Sequence, residues 1–374
     1  MIEQDKIAEQ VRMCAACPKM CRHVCPTFFA WRSDAPTPHG RALLLHQEIV
    51  GTRKIDERGV EVLYQCLECS HCLTWCKPEI DIATFVELKR QELVKSGQQP
   101  KGISQLTSLV SAMHNPFDED HSKRNMWIKI SKSKGPKVLY FTGCTAAYRE
   151  KDSAQDTVYL LELLGYSVEV TPDEWCCGSP LIRTGDIETG LKQAAHNVEV
   201  LNRVDAEEIL VTCPGCYRVL TTDYTENGYV LNKPVLHISE FLAKSLDKLP
   251  VGKCDRLVSF HDPCHLGRHS GIYQAPRDVI TQVCGVAPVE MDRNKENAMC
   301  CGNGAGLRTL FPEYAKKIGA ERIRQAKNVD AKYLVTSCPF CKEMLDAQSD
   351  ELLTVLDLPE FVMQFGKGRD VKTD

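Results

Sequence analysis

Apolar residues recur along this chain with two different spacings. From Arg41 to Val50 (RALLLHQEIV) they fall at helical intervals, and a second helix is predicted from Ala83 to Lys95. Beyond residue 136 the pattern changes to short apolar runs that alternate with amphipathic stretches. Val138–Thr142 predicts a strand, Ala154–Leu164 closed by Gly165 a helix, and Ser167–Val170 a second strand. Ile187–Val204 follows as a helix and Ile209–Thr212 as a third strand. A further helix starts at Pro214, where proline suits the first turn. This βα alternation predicts a small parallel sheet.

The pattern then runs a second time. Glu207–Leu220 (EEILVTCPGCYRVL) matches Ala331–Leu345 (AKYLVTSCPFCKEML) with one residue inserted, and Val235–Leu242 (VLHISEFL) matches Val355–Val362 (VLDLPEFV) 120 residues on. Cysteines repeat with the flanks: Cys144, Cys176, Cys177, Cys213 and Cys216 in one set, Cys264, Cys300, Cys301, Cys338 and Cys341 in the other. Two duplicated α/β domains are therefore expected, at residues 137–250 and 251–374, after a helical domain at 1–100. Between them, residues 101–136 read as a linker. Asp118–Asp120 is acidic, and Lys123, Arg124, Lys129, Lys132, Lys134 and Lys137 follow with no acid among them. That stretch is either solvated or a docking surface for an acidic partner.

Composition sharpens the picture at one point only. A net charge of −4 over 374 residues gives no reason to expect nucleic acid as a partner, and no apolar run approaches a membrane span. Met1–Gln10 lacks the basic-then-apolar order of a secretory signal, so a cytoplasmic protein is expected. Twenty cysteines are the anomaly. Disulfide frameworks belong mostly to short secreted chains, whereas tight cysteine clusters in a reducing compartment point to metal.

Residues 1–100 hold eight of these cysteines. Cys14-x2-Cys17-x3-Cys21-x3-Cys25-Pro26 is the first group, and Cys66-x2-Cys69-x2-Cys72-x3-Cys76, with Pro78, the second. The second matches the bacterial ferredoxin run, and the first has one extra residue. In that run three close thiolates wrap one cubane while the fourth serves the other cluster. Cys14, Cys17, Cys21 and Cys76 are thus expected to hold one [4Fe-4S] cubane, and Cys66, Cys69, Cys72 and Cys25 a second. The long helical segment between the groups suggests a helical ferredoxin. Zinc accepts the same ligands, but its motifs pair two knuckles across a longer gap.

Each C-terminal set has five thiols: a lone Cys, then Cys-Cys-Gly, then Cys-Pro-x-Cys. Five exceed what a cubane needs, which leaves a larger or more open cluster, or a cubane with a spare thiol. Cys144, Cys213, Cys264 and Cys338 fall at the ends of predicted strands, where open α/β sheets bind ligands. Gly178 and Gly302 would let backbone pass close to sulfide, and Cys213 and Cys338 lie at helix N-termini.

Residues 137–365, with Cys-x31-CysCysGly-x34-CysProGlyCys followed by Cys-x35-CysCysGly-x35-CysProPheCys, resemble the duplicated CCG domain of heterodisulfide reductase. With the ferredoxin section in front, the order resembles the fused D-type subunit of that family. It is also similar to the iron–sulfur subunits of glycolate oxidase and anaerobic glycerol-3-phosphate dehydrogenase, which share His261-Asp262-Pro263-Cys264-His265 and Pro38-x-Gly40-Arg41. The resemblance implies two noncubane [4Fe-4S] clusters that cleave a disulfide, or oxidise thiols, one electron at a time, and oxygen sensitivity. It implies partners too, a flavoprotein or a quinone-linked membrane subunit, through which the chain would sit at the inner face of the membrane. The alternative is an electron conduit: the iron–sulfur subunit of a glycolate, glycerol-3-phosphate or acyl-CoA type flavin dehydrogenase.

Lesser signals fit blander roles. Gly302-x-Gly304-x-Gly306 follows a cysteine pair rather than a strand, which argues against a dinucleotide loop. The Cys-Pro-x-Cys pairs could be thioredoxin-like, but each has Cys-Cys-Gly upstream. Cys254 and Cys284 have no repeat counterparts and read as packed thiols. His261 and His265 are expected to hold the loop around Cys264, and Asp262 to set its turn.

Overall fold

The computed structural model describes residues 2–130 and 134–366, so Lys132 of the basic stretch lies outside the described residues. Among the described residues, those up to 100 form helices without a strand. The expected helix at 41–50 spans Pro38–Ile49, where Thr37 Oγ1 accepts from the Gly40 amide and Pro38 fills the first turn. The one expected at 83–95 spans Ile82–Lys95, capped by Asp81. Ala42, Leu45, Val60, Leu63 and Val86 bury against one another as the core of this section.

The segment from 101 is packed in part, while Lys123, Lys129, Lys134 and Lys137 are exposed as the solvated reading expects. Lys101–Met113 is an amphipathic helix that buries Ile103, Leu106 and Val110. Arg124, read as part of a surface cationic run, is fully buried in an ion pair with Glu174. The carboxylate of Glu174 also accepts the amides of Thr142 (2.9 Å) and Gly143 (2.8 Å). A buried carboxylate requires such partners, and here they fix the turn that presents Cys144.

Four parallel strands follow in the order β2-β1-β3-β4: β1 Lys137–Phe141, β2 Ser167–Glu169, β3 Glu208–Val211 and β4 Val235–His237. Val138 pairs with Val168 on one side and Glu208 on the other. The second repeat has β5 Val258–His261, β6 Tyr333–Thr336 and β7 Thr354–Asp357, again parallel. Where a counterpart of β2 would lie, only a single parallel bridge from Ser259 to Val289 remains. The α/β class with small parallel sheets is as expected.

Both faces of the first sheet are covered, as parallel sheets require. Leu139 and Phe141 of β1 face helix Ile187–Arg203 through Ala194 and Leu201. Val138 and Tyr140 face a core shared with the second repeat, which contributes Phe260, Val279, Val335 and Phe361. The two repeats meet reciprocally. The helix after β4 (Ile238–Ala243) packs on Gln274–Cys284, and the helix after β7 (Leu358–Phe365) packs on Lys151–Leu163.

Cys254 and Cys284 are not separate thiols. They form a disulfide that ties the segment between the repeats to the end of helix Gln274–Cys284. Thirty residues separate them, too far for spacing alone to reveal the pair. Gly178 and Gly302 also have a duty that the sequence did not show. Both hold left-handed backbone (φ +89° and +96°), and a Cβ would come 2.8 Å from Gly190 O or 2.5 Å from Ala315 O. They let each Cys-Cys loop lie against a helix backbone.

Candidate metal centres

Helix Ile2–Ala15 carries Cys14 in its last turn, Cys17 and Cys21 follow in a loop, and Cys25 caps the helix Pro26–Trp31. The Cys14 thiol is pushed up to about 12 by burial, then by the neighbouring Cys21, Cys76 and Cys17. Cys76 thus sits with the first group although it closes the second in sequence. Burial also raises Cys72, followed by Cys69, Cys66, Cys25 and Cys21, and Cys25 in turn raises Cys21, so Cys25 lies between the two groups. Backbone amides point at two of these sulfurs, Glu68 N–H at Cys66 (3.4 Å) and Ile80 N–H at Cys76 (3.3 Å).

The CCG cysteines arise at the sheet edges that the strand pattern indicated. Cys144 lies one turn beyond β1, in helix Gly143–Tyr148. Cys213 and Cys338 cap the helices Pro214–Arg218 and Pro339–Asp346, and the Cys341 amide donates to Cys338 Sγ (3.3 Å). Thiol contacts link Cys144 to Cys176, Cys176 to Cys177, Cys177 to Cys216 and Cys216 to Cys213. In the second repeat they link Cys264 to Cys300, Cys300 to Cys301, Cys301 to Cys341 and Cys341 to Cys338.

Two further contacts were not legible in the spacing. Cys213 touches Cys338, so the two sets meet. Cys69 touches Cys300, so the second N-terminal group abuts the second repeat. Arg268 secures that junction, donating from Nε to Cys69 O at 2.6 Å, and His269 bonds Glu68 O at 2.9 Å. The Gly302–Gly306 loop belongs to the same junction. A Cβ on Gly304 would lie 3.4 Å from Leu67 O, and one on Gly306 would lie 2.9 Å from Thr184.

One cavity of about 520 Å³ spans both sets and is lined by nine of the ten CCG cysteines, all but Cys176. Leu106, Leu109 and Phe117 line it too, as do Arg149, Arg308, His265 and Asn303. Asp262 does more than set a turn: it is buried, paired with both terminal nitrogens of Arg277, and accepts from the Lys295 amide.

The donor chemistry fits iron–sulfur clusters. Contacting buried thiols push one another in opposite directions. Cys177 is drawn down to about 6 by hydrogen bonds from Cys176 and Cys216, while Cys216 is raised well above its usual value by those with Cys177 and Cys213. Five thiols cannot all ionise in such a site without a positive centre among them. Arg124 beside Cys144 is a cation that favours one of these thiolates. A cationic iron core is such a centre.

Comparison with known proteins gives a consistent result. A family model described as a cysteine-rich domain, CCG, matches residues 138–221 and again 258–346. The D-type subunit of the dihydromethanophenazine:CoB--CoM heterodisulfide reductase of Methanosarcina barkeri is 35% identical over 381 residues, covering 94% of this chain and 93% of that protein. The EtfAB:quinone oxidoreductase of Syntrophomonas wolfei is 28% identical, covering 82% of this chain and 46% of its own length. Among solved structures, a hypothetical protein from Helicobacter pylori superposes with a TM-score of 0.61 at 11% identity, over 89% of this chain and 68% of that one. At that identity the likeness is one of fold.

Proposed function

This chain belongs to the family of the D-type subunit of heterodisulfide reductase, an iron–sulfur oxidoreductase subunit, and from that premise we propose that it reduces a disulfide in the cavity between its two CCG repeats. The observation that carries the proposal is the shared cavity of about 520 Å³. The clusters themselves would fill part of that space, and its lining continues beyond the cysteines to Leu106, Leu109, Phe117, Arg149 and Arg308, which would take a substrate beside them.

Residues 1–100 hold two [4Fe-4S] cubanes, one on Cys14, Cys17, Cys21 and Cys76, the other on Cys66, Cys69, Cys72 and Cys25. Residues 137–250 and 251–374 each hold a noncubane [4Fe-4S] cluster on their five cysteines. When bound, such clusters supply single electrons to a sulfur–sulfur bond. The chain's own residues shape the path and the site. Half-buried Cys17 and Cys21 place the first centre near the surface, where a partner can reach it. The Cys69–Cys300 contact brings the second centre against the second repeat, and Cys213–Cys338 brings the repeats together. Leu106, Leu109 and Phe117 line the cavity and would hold the carbon chain of a substrate. Two electrons and two protons then convert one disulfide into two thiols.

Among the described residues no helix is long and apolar enough to cross a membrane. We place the chain in the cytoplasm, with a flavoprotein or a quinone-linked membrane subunit as its electron partner. The test is EPR of the anaerobically purified, oxidised protein with and without added thiol, together with iron and zinc analysis. The proposal expects about sixteen iron atoms per chain and a thiol-dependent signal. Iron with no thiol response makes the chain a conduit, and zinc without iron removes both readings.

A further inference from the structure

The duplication makes every departure from symmetry informative. Phe141 and His261 stand 120 residues apart, as Cys144 and Cys264 do, and Asn197 and Arg322 stand 125 apart, as Cys213 and Cys338 do. The first repeat therefore has phenylalanine and asparagine where the second has histidine and arginine. Asn197 makes no bond to Phe141: its side chain accepts from the Trp175 amide (2.9 Å) and donates to the Cys176 carbonyl (3.1 Å) and to Tyr224 Oη (3.2 Å). Arg322 does meet the residue at the matching place, and its Nε donates to His261 Nδ1 at 3.0 Å. Both residues are fully buried.

This contact fixes a tautomer. Guanidinium has hydrogens to give and no lone pair to receive, so the Nδ1 facing it is bare. A neutral imidazole then carries its proton on Nε2. Nε2 is buried and bonds no nitrogen or oxygen. The ring faces sulfur: His261, Cys301 and Cys341 form a group whose ligating atoms lie within 4.8 Å of one another. Arg322 is anchored in turn by Arg293 O (2.7 Å) and Gln325 Oε1 (2.8 Å), so the arrangement is held from behind.

We propose that His261, with its tautomer set by Arg322, is a positioning residue that directs a fixed N–H at the sulfurs of Cys301 and Cys341 and makes the second CCG cluster the more readily reduced of the pair. The inference rests on the cluster assignment above. A donor aimed at a ligand sulfur draws charge from it and stabilises the added electron, and the protein tunes cluster potentials in this way. At the matching position of the first repeat Phe141 offers only carbon. The same bare-Nδ1 geometry argues against His261 as a ligand to iron, because the nitrogen facing the sulfurs carries the proton and a ligand nitrogen must itself be bare.

The experiment uses the anaerobically purified full chain, with EPR-monitored redox titration, pulsed EPR of protein carrying 15N-histidine, and iron counted per chain. In His261→Phe, which gives the second repeat the residue of the first, one CCG midpoint potential falls, the other stays, and the histidine nitrogen coupling disappears. His261→Gln, which restores a donor, recovers part of the shift, and Arg322→Met moves the same potential in the same direction. Unchanged potentials with full iron content overturn the inference, as does a wild-type coupling large enough for direct nitrogen ligation. If His261→Phe loses iron, Arg322→Met decides. A wild-type protein without iron in its CCG repeats would instead overturn the cluster assignment, and that is seen before any variant is made.

Discussion

Arg90 is the residue whose loss should do most harm away from the cysteines. It is fully buried in helix Ile82–Lys95 and binds all three sections of the chain. Its Nη2 donates to Leu63 O and Cys66 O, both at 2.7 Å, beside the second N-terminal cysteine group. Its Nη1 donates to Glu68 (2.5 Å), to Arg183 O in the first repeat (2.8 Å) and to Ala305 O in the second (3.3 Å). Gly185 presses on the same helix so closely that a Cβ would come 2.4 Å from the Arg90 carbonyl carbon. Arg90→Met keeps most of the volume and removes every donor. Breaking a buried ion pair from one side costs about 3–5 kcal/mol, and each stranded carbonyl adds about 1 kcal/mol or more. The two are not additive, because burial and Glu87 already push the Glu68 carboxyl up and it will take a proton once Arg90 is gone. We therefore expect a loss of about 4–6 kcal/mol, a large share of the ~5–15 kcal/mol that holds a typical domain. The assay is anaerobic urea denaturation followed by circular dichroism and by visible absorption of the clusters. Glu68→Gln in the same chain should return about 2 kcal/mol, since no carboxylate then has to take up a proton at neutral pH to stay buried. A loss under about 1 kcal/mol with full iron content would refute the reasoning, and so would an unchanged deficit in the double variant.

Three other outcomes follow from single observations. Gly302→Ala forces a left-handed residue to carry a Cβ 2.5 Å from Ala315 O and should cost about 2–4 kcal/mol, whereas Gly271→Ala (φ +73°, open space around it) should cost about 1 kcal/mol; equal thermal midpoints for the two would contradict this. The Cys254–Cys284 bond closes a 30-residue separation and should add up to about 3.5 kcal/mol to the oxidised form, so Cys254→Ser should melt earlier without reductant and alike with it. Burial lowers the His237 ring to about 4 from 6.5, so between those values the unfolded chain takes a proton that the folded one refuses. Stability is then full above pH 6.5 and falls by roughly 3 kcal/mol as pH drops to 4, a slope that His237→Gln should flatten in pH-resolved melts.

The parts of the fold that sequence revealed are those written in short-range repeats. β1, β3 and helix Ile187–Arg203 fall within a residue or so of their expected places, because a buried parallel strand must be a short apolar run and an amphipathic helix must show its period. The cysteine sets were legible for a similar reason: a cluster needs its ligands at fixed separations along the chain. Helix Lys101–Met113 was missed because Gly102 and several serines dilute its apolar stripe of Ile103, Leu106 and Val110. The buried arginines were missed because nothing local marks them. Arg124 meets Glu174 at a separation of 50 residues, and Arg322 meets His261 at 61. A guanidinium on a surface and one in a core are the same letter, and only the far partner tells them apart. Cys254 and Cys284 failed in the same way.

What those distant contacts add is an order among the centres. Spacing alone leaves the two CCG repeats equivalent, each with five thiols at the end of a parallel sheet. Contact removes the equivalence. Cys300 of the second repeat meets Cys69, while the first repeat meets the second through Cys213 and Cys338. If electrons enter at the half-buried N-terminal cysteines, they must reach the second repeat before the first. The same repeat is the one with His261 and Arg322 behind its cysteines, and the one whose Gly302–Gly306 loop packs against Leu67. Three departures from symmetry thus fall on one repeat, the one whose cysteines meet an N-terminal cysteine group. A duplicated domain that served only as a scaffold would have no reason to collect them there. An electron path with a fixed direction would.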